Sequence, residues 1–185
     1  MSLTLITPPV SEPVSLDDLK AHLRVTEPVE DSLIAGLGRA ARQALEARFE
    51  IAIMSQVWRL SLDCPPATVI SLPVAPLVSV SEVSLTLNDG TVTVFDPSAY
   101  DVDPGFSGRI CLKAPHGYSA KLGALKVDFV AGWPSLAQVP EPIVLAIKIL
   151  AAHFYEHREE AGTDRFFTSP QSLSTLMAPY RRVHL

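Results

Sequence analysis

The sequence has few charged residues, and those it has are not clustered. Charged side chains make up 19% of the 185 residues and the formal net charge is −5, whereas soluble domains usually carry about 25% charged residues. No run of five or six like charges occurs. Proteins that grip nucleic acid through its phosphates need clustered Lys and Arg, so the composition argues against that class. A surface with little charge is typical of contact with other protein chains.

Cysteine and long apolar segments are also scarce. Cys64 and Cys111 are the two cysteines and form no C-x-x-C pair; a disulfide would require the fold to bring them together, and two free thiols are the simpler expectation. The longest apolar run, residues 142–154, is interrupted by Lys148 and is too short to span a bilayer. The first ten residues lack the basic and apolar regions of a signal peptide. We therefore expect a soluble, cytoplasmic protein.

The common motifs of nucleotide-binding proteins and serine hydrolases are missing, but one short segment matches the signature of a zinc peptidase. There is no G-x-G-x-x-G, P-loop or G-x-S-x-G. His153, Glu156 and His157 spell H-x-x-E-H, the signature of one class of zinc peptidase. A catalytic zinc needs a third protein ligand and an open position. The nearby candidates are Glu159, Glu160 and Asp164, and the first two belong to the same predicted helix, where they cannot wrap around the metal.

The same helix end has a simpler interpretation. His153 and His157 lie to one side of the predicted apolar stripe rather than on it. With Tyr155 and Arg158 they form a flank that a helix presents to a neighbouring subunit or to solvent. We predict a subunit interface formed by His153, Tyr155, His157 and Arg158, and no metal site.

Two further patterns have competing interpretations. Residues 101–105 resemble the opening of a calcium loop, but Leu112 occupies the position of the bidentate glutamate, so an acidic turn is predicted. Gly36 and Gly38 lie inside a predicted helix, where each costs about 1 kcal/mol relative to alanine. Either another helix approaches closely there or the glycines are simply tolerated.

Hydrophobic periodicity divides the chain into three zones. The first is helical: Ser15 and Asp18 form a capping box before one helix, and a second helix is predicted over residues 29–50. The middle zone, residues 56–132, alternates like strands. Its predicted strands are residues 57–62, 68–72, 78–87, 91–95, 100–102, 109–112 and 124–132, with the Asn88-Asp89-Gly90 hairpin turn between the third and fourth.

The third zone is helical again. A long helix is predicted from Pro140 to Gly162, followed by a short helix with Ser169 as N-cap and Pro170 at its first position. Two N-terminal helices alone bury too little apolar surface to be stable. We therefore predict a single α+β domain over residues 1–185. Its helical core, about residues 15–50 and 140–178, is a small bundle of the two N-terminal helices and the long C-terminal helix. An antiparallel β insertion over about residues 56–132 interrupts this core. A C-terminal tail covers residues 179–185.

The order of several segments carries a family resemblance. The segments are SLDDLKAHLRV (15–25), IAGLGRAARQALEARF (34–49), VWRLSLD (57–63), ISLPVAPLVSV (70–80), the NDG turn, YDVD (100–103), RICL (109–112), VDFVAGW (127–133) and VPEPIVLAIKILAAHFYEHRE (139–159). The resemblance spans nearly the full chain, from about residue 3 to about residue 182. In this order they resemble the head–tail connector (adaptor) proteins of long-tailed double-stranded DNA phages and of phage-derived gene transfer agents.

The resemblance implies a structural protein without cofactors. Such connectors form a ring, commonly of twelve subunits, below the portal of the particle, assembled in the bacterial cytoplasm. The ring extends the DNA channel and offers a platform for stopper or tail-completion proteins; DNA passes without specific binding, and no membrane is involved. In many of them the C-terminal segment docks into the portal, which would give that role to Tyr180, Arg181, Arg182, Val183, His184 and Leu185. The alternatives are a zinc hydrolase using H-x-x-E-H and a protein-interaction module unrelated to virions.

Overall fold

Helices and strands occupy separate stretches of the chain. The computed structural model describes residues 1–63, 68–113, 119–157 and 171–181. Its α-helices are α1 (Leu16–Leu23), α2 (Asp31–Phe49), α3 (Glu141–Glu156) and α4 (Gln171–Met177). Its strands are β1 (Ser2–Thr7), β2 (Gln56–Leu62), β3 (Val69–Ser71), β4 (Leu77–Thr86), β5 (Val92–Val94), β6 (Tyr100–Asp103), β7 (Arg109–Leu112) and β8 (Leu125–Ala131). The predicted α+β class is confirmed.

The predicted capping box starts α1. Ser15 Oγ accepts a hydrogen bond from the Asp18 backbone N–H at 3.1 Å and donates one to the Asp18 carboxylate at 2.7 Å. The hydrogen bond from Ser15 also lowers the pKa of Asp18, with Lys148 adding to the effect. Satisfying a free N–H in the first turn in this way stabilises the helix start.

The two glycines of α2 have different explanations. A Cβ atom on Gly38 would lie 2.6 Å from Cδ1 of the buried Leu19 of α1, whereas a Cβ on Gly36 would meet nothing within 4 Å. Close approach of another helix therefore explains Gly38, and simple tolerance explains Gly36.

The strands form two antiparallel sheets. The first has the order β1-β2-β8-β4-β5 and the second the order β3-β7-β6. The predicted Asn88-Asp89-Gly90 turn joins β4 to β5, with Gly90 at φ +98° and its N–H donating to Leu87 O at 3.0 Å. β1 was not predicted. It precedes the helices and pairs with β2. The strands therefore do not all come from one insertion between the helices, as predicted, because β1 lies N-terminal to them.

Apolar side chains form two clusters that meet at residues 50–56. One takes buried residues from all four helices, including Ile34, Leu45 and Ile147. The other lies between the two sheets and includes Phe129 and Ile110. Ile53 belongs to the first cluster and its neighbour Ala52 to the second, so the short segment between α2 and β2 connects the two cores. Among the described residues no helix is both long and apolar enough to cross a membrane.

The end of α3 differs from the prediction. The helix stops at Glu156 rather than continuing to Gly162, because His157 has a non-helical backbone (φ −106°, ψ 26°) and its N–H closes the last turn onto His153 O at 3.1 Å. Arg158, Gly162, Ser169 and Pro170 lie outside the described residues.

Candidate interaction surfaces

The two histidines of H-x-x-E-H lie side by side at the end of α3. Their ring centroids are 4.3 Å apart, and His157 Nδ1 lies 2.9 Å from the carbonyl oxygen of His153. Glu156 is exposed. In the described ranges no group of three His, Cys, Asp or Glu side chains is placed to hold a metal ion; Glu159, Glu160 and Asp164 lie outside those ranges. No observation in this part of the chain supports a zinc site.

The predicted subunit interface is partly engaged within the subunit. The hydroxyl of Tyr155 donates a hydrogen bond to the carboxylate of Glu30, which ties α3 to the 3-10 helix Pro28–Glu30 before α2. His153 borders a cavity of about 170 Å³ between α2, α3 and α4, together with Arg48 and Leu173. His153, Tyr155 and His157 are all half-buried in the isolated subunit. Their role at a subunit contact stays a prediction.

Residues 101–103 of the predicted acidic turn lie in strand β6 instead, and their two carboxylates are ion-paired. Asp101 and Asp103 lie on β6, where Lys113 contacts Asp101 at 2.7 Å and Arg109 contacts Asp103 at 2.8 Å. These pairs neutralise the two carboxylates across neighbouring positions of the sheet. The turn therefore offers no cluster of free oxygen ligands for calcium.

The C-terminal segment is attached to the fold by a cluster of three aromatic rings. Tyr180 lies 6.4 Å from Trp133 and 6.3 Å from Phe106, and those two rings are 6.0 Å apart, all between centroids. Arg181 is exposed, and residues 182–185 lie outside the described part of the chain. Tyr180, predicted to dock on a partner, thus packs against two rings of its own subunit.

The partners of Tyr180 come from separate loops that are fixed by backbone hydrogen bonds. Phe106 follows Gly105, which exchanges two hydrogen bonds with Leu77 at 2.8 and 2.9 Å. Trp133 follows β8, and its carbonyl accepts from Ser55 N–H at 3.0 Å. Sequence reasoning missed Phe106 and Trp133 because nothing local relates either residue to the C-terminus.

A buried ion-pair network holds α2 to the first strand after it. Arg42 is 5% exposed; its guanidinium donates to both carboxylate oxygens of Glu12, at 2.7 and 3.2 Å, and to the carboxylate of Glu46. The second oxygen of Glu46 accepts from Ile53 N–H at 2.8 Å and from Gln56 Nε2 at 2.6 Å. Burial raises the pKa of Glu46 despite these partners, whereas its carboxylate neighbours raise the pKa of Arg42. The network joins the N-terminal segment, α2 and β2.

Both edges of the five-stranded sheet are open to solvent. All six residues of β1 and all three of β5 are exposed, and no segment in the described ranges pairs with the outer edge of either strand. Below β1 a groove of about 330 Å³ runs between the strand and α2. These edges are a second candidate surface for contact with other chains.

Comparison with known proteins identifies the fold. No model of a known protein family and no curated protein matches the chain. Solved structures do match over its full length. A chain in the neck of an empty gene transfer agent particle, computed with C6 symmetry, has a TM-score of 0.83 and 25% sequence identity, with 100% of this chain and 97% of that chain covered.

Two other structures agree with the first. The virion of a native gene transfer agent particle contains a chain with a TM-score of 0.81, and the neck of a native particle computed with C12 symmetry contains one with a TM-score of 0.80. Each is 25% identical and is matched over 100% of this chain and 97% of its own length. The predicted resemblance to connector proteins of gene transfer agents and phages is confirmed.

Proposed function

We propose that the protein is a structural head–tail connector of a gene transfer agent or phage particle. It forms a ring below the portal, extends the DNA channel and joins the head to the stopper or tail-completion protein. The observation that carries the proposal is the full-length structural match to chains of particle necks and virions. The role is structural rather than enzymatic, and it places the protein in the virion after assembly in the bacterial cytoplasm.

The charge of the chain is compatible with a DNA channel. A channel through which DNA slides must not bind phosphates strongly, because each neutralised phosphate adds to the affinity. A net charge of −5, with no run of five or six basic residues, is compatible with that requirement. DNA then passes through the ring without specific binding.

The basic test is assembly on the portal. Purified protein is mixed with the purified portal protein of the same particle and examined by electron microscopy at several salt concentrations. Rings on the portal, of about twelve subunits, are expected. Absence of any binding at all salt concentrations would refute the proposal, whereas a monomeric state without portal would not, because assembly on the portal alone satisfies it.

The C-terminal segment provides a sharper prediction. Tyr180 packs against Phe106 and Trp133 of its own subunit, so the docking role is tested on residues 181–185. A chain ending at Tyr180 is expected to bind the portal at least about tenfold more weakly, since a few aromatic and arginine anchors carry most interface energy. Its melting temperature should stay unchanged.

The matched control keeps the length and composition of the segment. A variant with residues 181–185 in reversed order has the same charge and size but different side-chain positions. If the segment is recognised, the reversed variant binds as weakly as the truncated one. Unchanged binding by the truncated chain contradicts the docking role.

The histidine pair tests the predicted subunit interface and the zinc alternative together. Replacing His153 and His157 with alanine is expected to reduce ring formation while leaving portal binding of single subunits intact, because the two half-buried rings lie on the predicted contact flank. Elemental analysis of the unmodified protein is expected to find no stoichiometric zinc. Rings that form as before would remove the pair from the interface, and one bound zinc per chain would revive the hydrolase hypothesis.

A further inference from the structure

The outer edge of β1 is an unprotected strand edge. Proteins usually guard exposed edges with charged side chains, proline or short strands, because free N–H and C=O groups recruit other strands. β1 (Ser2–Thr7) contains no charged residue and no proline. In the second sheet the edge strand β6 carries Asp101 and Asp103, whereas the other edge strand, β3, also lacks charge and proline but has only three residues. β1 therefore has the composition of a strand that accepts a partner.

The side chains beneath β1 add an apolar groove to this edge. Leu3 and Leu5 are 38% and 41% exposed and pair with Leu60 and Trp58 of β2. Ala47 of α2 lines the opposite wall. Trp58 also lines the groove, and its indole Nε1 is buried with no acceptor among the described residues. The open edge of β1 thus lies beside an apolar groove.

The opposite edge of the same sheet offers a strand of matching chemistry. β5 (Val92–Val94) is short, with three residues, but it also lacks charge and proline, and Val92 and Val94 are each 58% exposed. Its backbone is paired on one side only, with β4. One subunit thus presents two different open edges, one at each end of a single sheet.

We propose that the edge of β1, with the groove below it, receives β5 of a second copy of this chain. The inference rests on the proposed ring. A ring repeats one heterologous contact, which requires two different complementary surfaces on each subunit. The two edges of this sheet are such a pair, and strand addition supplies backbone hydrogen bonds for the contact. The same pairing of β1 with β5 of the next subunit, antiparallel or parallel, would then repeat around the ring.

Lysine substitutions at exposed edge positions test the contact. Thr4 of β1 and Thr93 of β5 are exposed, so Thr4→Lys and Thr93→Lys leave the folded core untouched. Each is expected to reduce the yield of rings on the portal by about tenfold, because a charge on an edge opposes strand addition. Thr26→Lys, at an exposed loop position away from the sheet, is the matched control and should assemble normally.

A charge-pair variant makes the test specific for two copies of this chain. Thr4→Lys combined with Thr93→Glu places opposite charges on the two edges, and this variant is expected to recover most of the ring yield, whereas Thr4→Lys with Thr93→Lys is not. Circular dichroism and melting temperature confirm that each variant is folded.

The outcomes separate this inference from the proposed function. If the unmodified protein forms rings and both lysine variants form them equally well, the edge contact is refuted and the connector role stands. If Thr4→Lys alone is impaired, β1 receives a different partner and the proposal is overturned. If the unmodified protein never assembles on a portal, the proposed function fails and this contact fails with it.

Discussion

Replacing Gly132 with alanine is expected to lower the free energy of unfolding by about 3 kcal/mol or more, through a strained backbone together with an atomic overlap. Gly132 has φ +105°, a conformation that side-chain-bearing residues rarely adopt. A Cβ atom there would lie 2.2 Å from the carbonyl oxygen of Met54. Because that oxygen belongs to the backbone of the segment between the two cores, it cannot move aside without displacing the segment.

Gly105 provides the matched control for this prediction. It has nearly the same backbone angle, φ +107°, but a Cβ atom would meet nothing within 4 Å. Gly105→Ala is therefore expected to cost only the conformational strain, about 1–3 kcal/mol. Chemical denaturation of both variants measures the difference, and equal losses would show that contact with Met54 contributes nothing.

The position of Gly132 gives the substitution a functional consequence. Its N–H donates to Pro76 O at 2.9 Å, and the next residue, Trp133, forms a bridge with Met54 and packs against Tyr180. A displaced residue 132 would therefore shift the ring on which the C-terminal segment is anchored. We expect Gly132→Ala to weaken portal binding even under conditions where the variant remains folded.

The elements that the sequence predicted well are those encoded locally. The Ser15–Asp18 capping box and the Asn88-Asp89-Gly90 turn depend on contacts within three residues of each other, and both occur as expected. The strands of the middle zone were placed by alternation of apolar and polar residues. For such elements a short window of sequence holds the determining interactions.

The features that were missed depend on distant segments. β1 pairs with residues 57–61, yet its own side chains are all exposed, so its short apolar alternation gave no sign of a partner. The ring cluster of Phe106, Trp133 and Tyr180 joins three segments that are far apart in sequence. In α3, the helix-compatible residues after Glu156 suggested a longer helix, but backbone geometry at His157 ends it.

Replacing Arg42 with methionine is expected to cost about 3–5 kcal/mol, because removing one partner of a buried ion pair leaves the other charge uncompensated. Glu46 would keep its hydrogen bonds from Ile53 N–H and Gln56 but lose Arg42, its one cationic partner among the described residues. Glu12 would lose the same guanidinium, which removes this ion pair between the N-terminal segment and α2. Thermal and chemical denaturation measure the loss.

The double variant Arg42→Met with Glu46→Gln separates this effect from lost packing. Glutamine keeps an oxygen for Ile53 N–H and Gln56 but carries no charge, so the double variant should lose only about 1–2 kcal/mol, the value of ordinary hydrogen bonds. A double variant as unstable as Arg42→Met would contradict the buried-charge explanation. In that case the lost packing of the Arg42 methylene groups, or the unpaired carboxylate of Glu12, would account for the loss.

The pH dependence of the single variant gives an independent check. Burial already raises the pKa of Glu46, and loss of Arg42 removes an interaction that lowers it. A raised pKa in the folded state means that the folded protein tolerates the protonated carboxyl of Glu46 better than the ionised one. The stability that goes with the protonated form is fully present below the pKa of the unfolded state and is lost as the pH rises through the pKa of the folded state. The stability deficit of Arg42→Met relative to the unmodified protein should therefore shrink as the pH is lowered from neutrality towards the ordinary pKa of a glutamate, and a deficit independent of pH would mean that Glu46 is not the charge left unpaired.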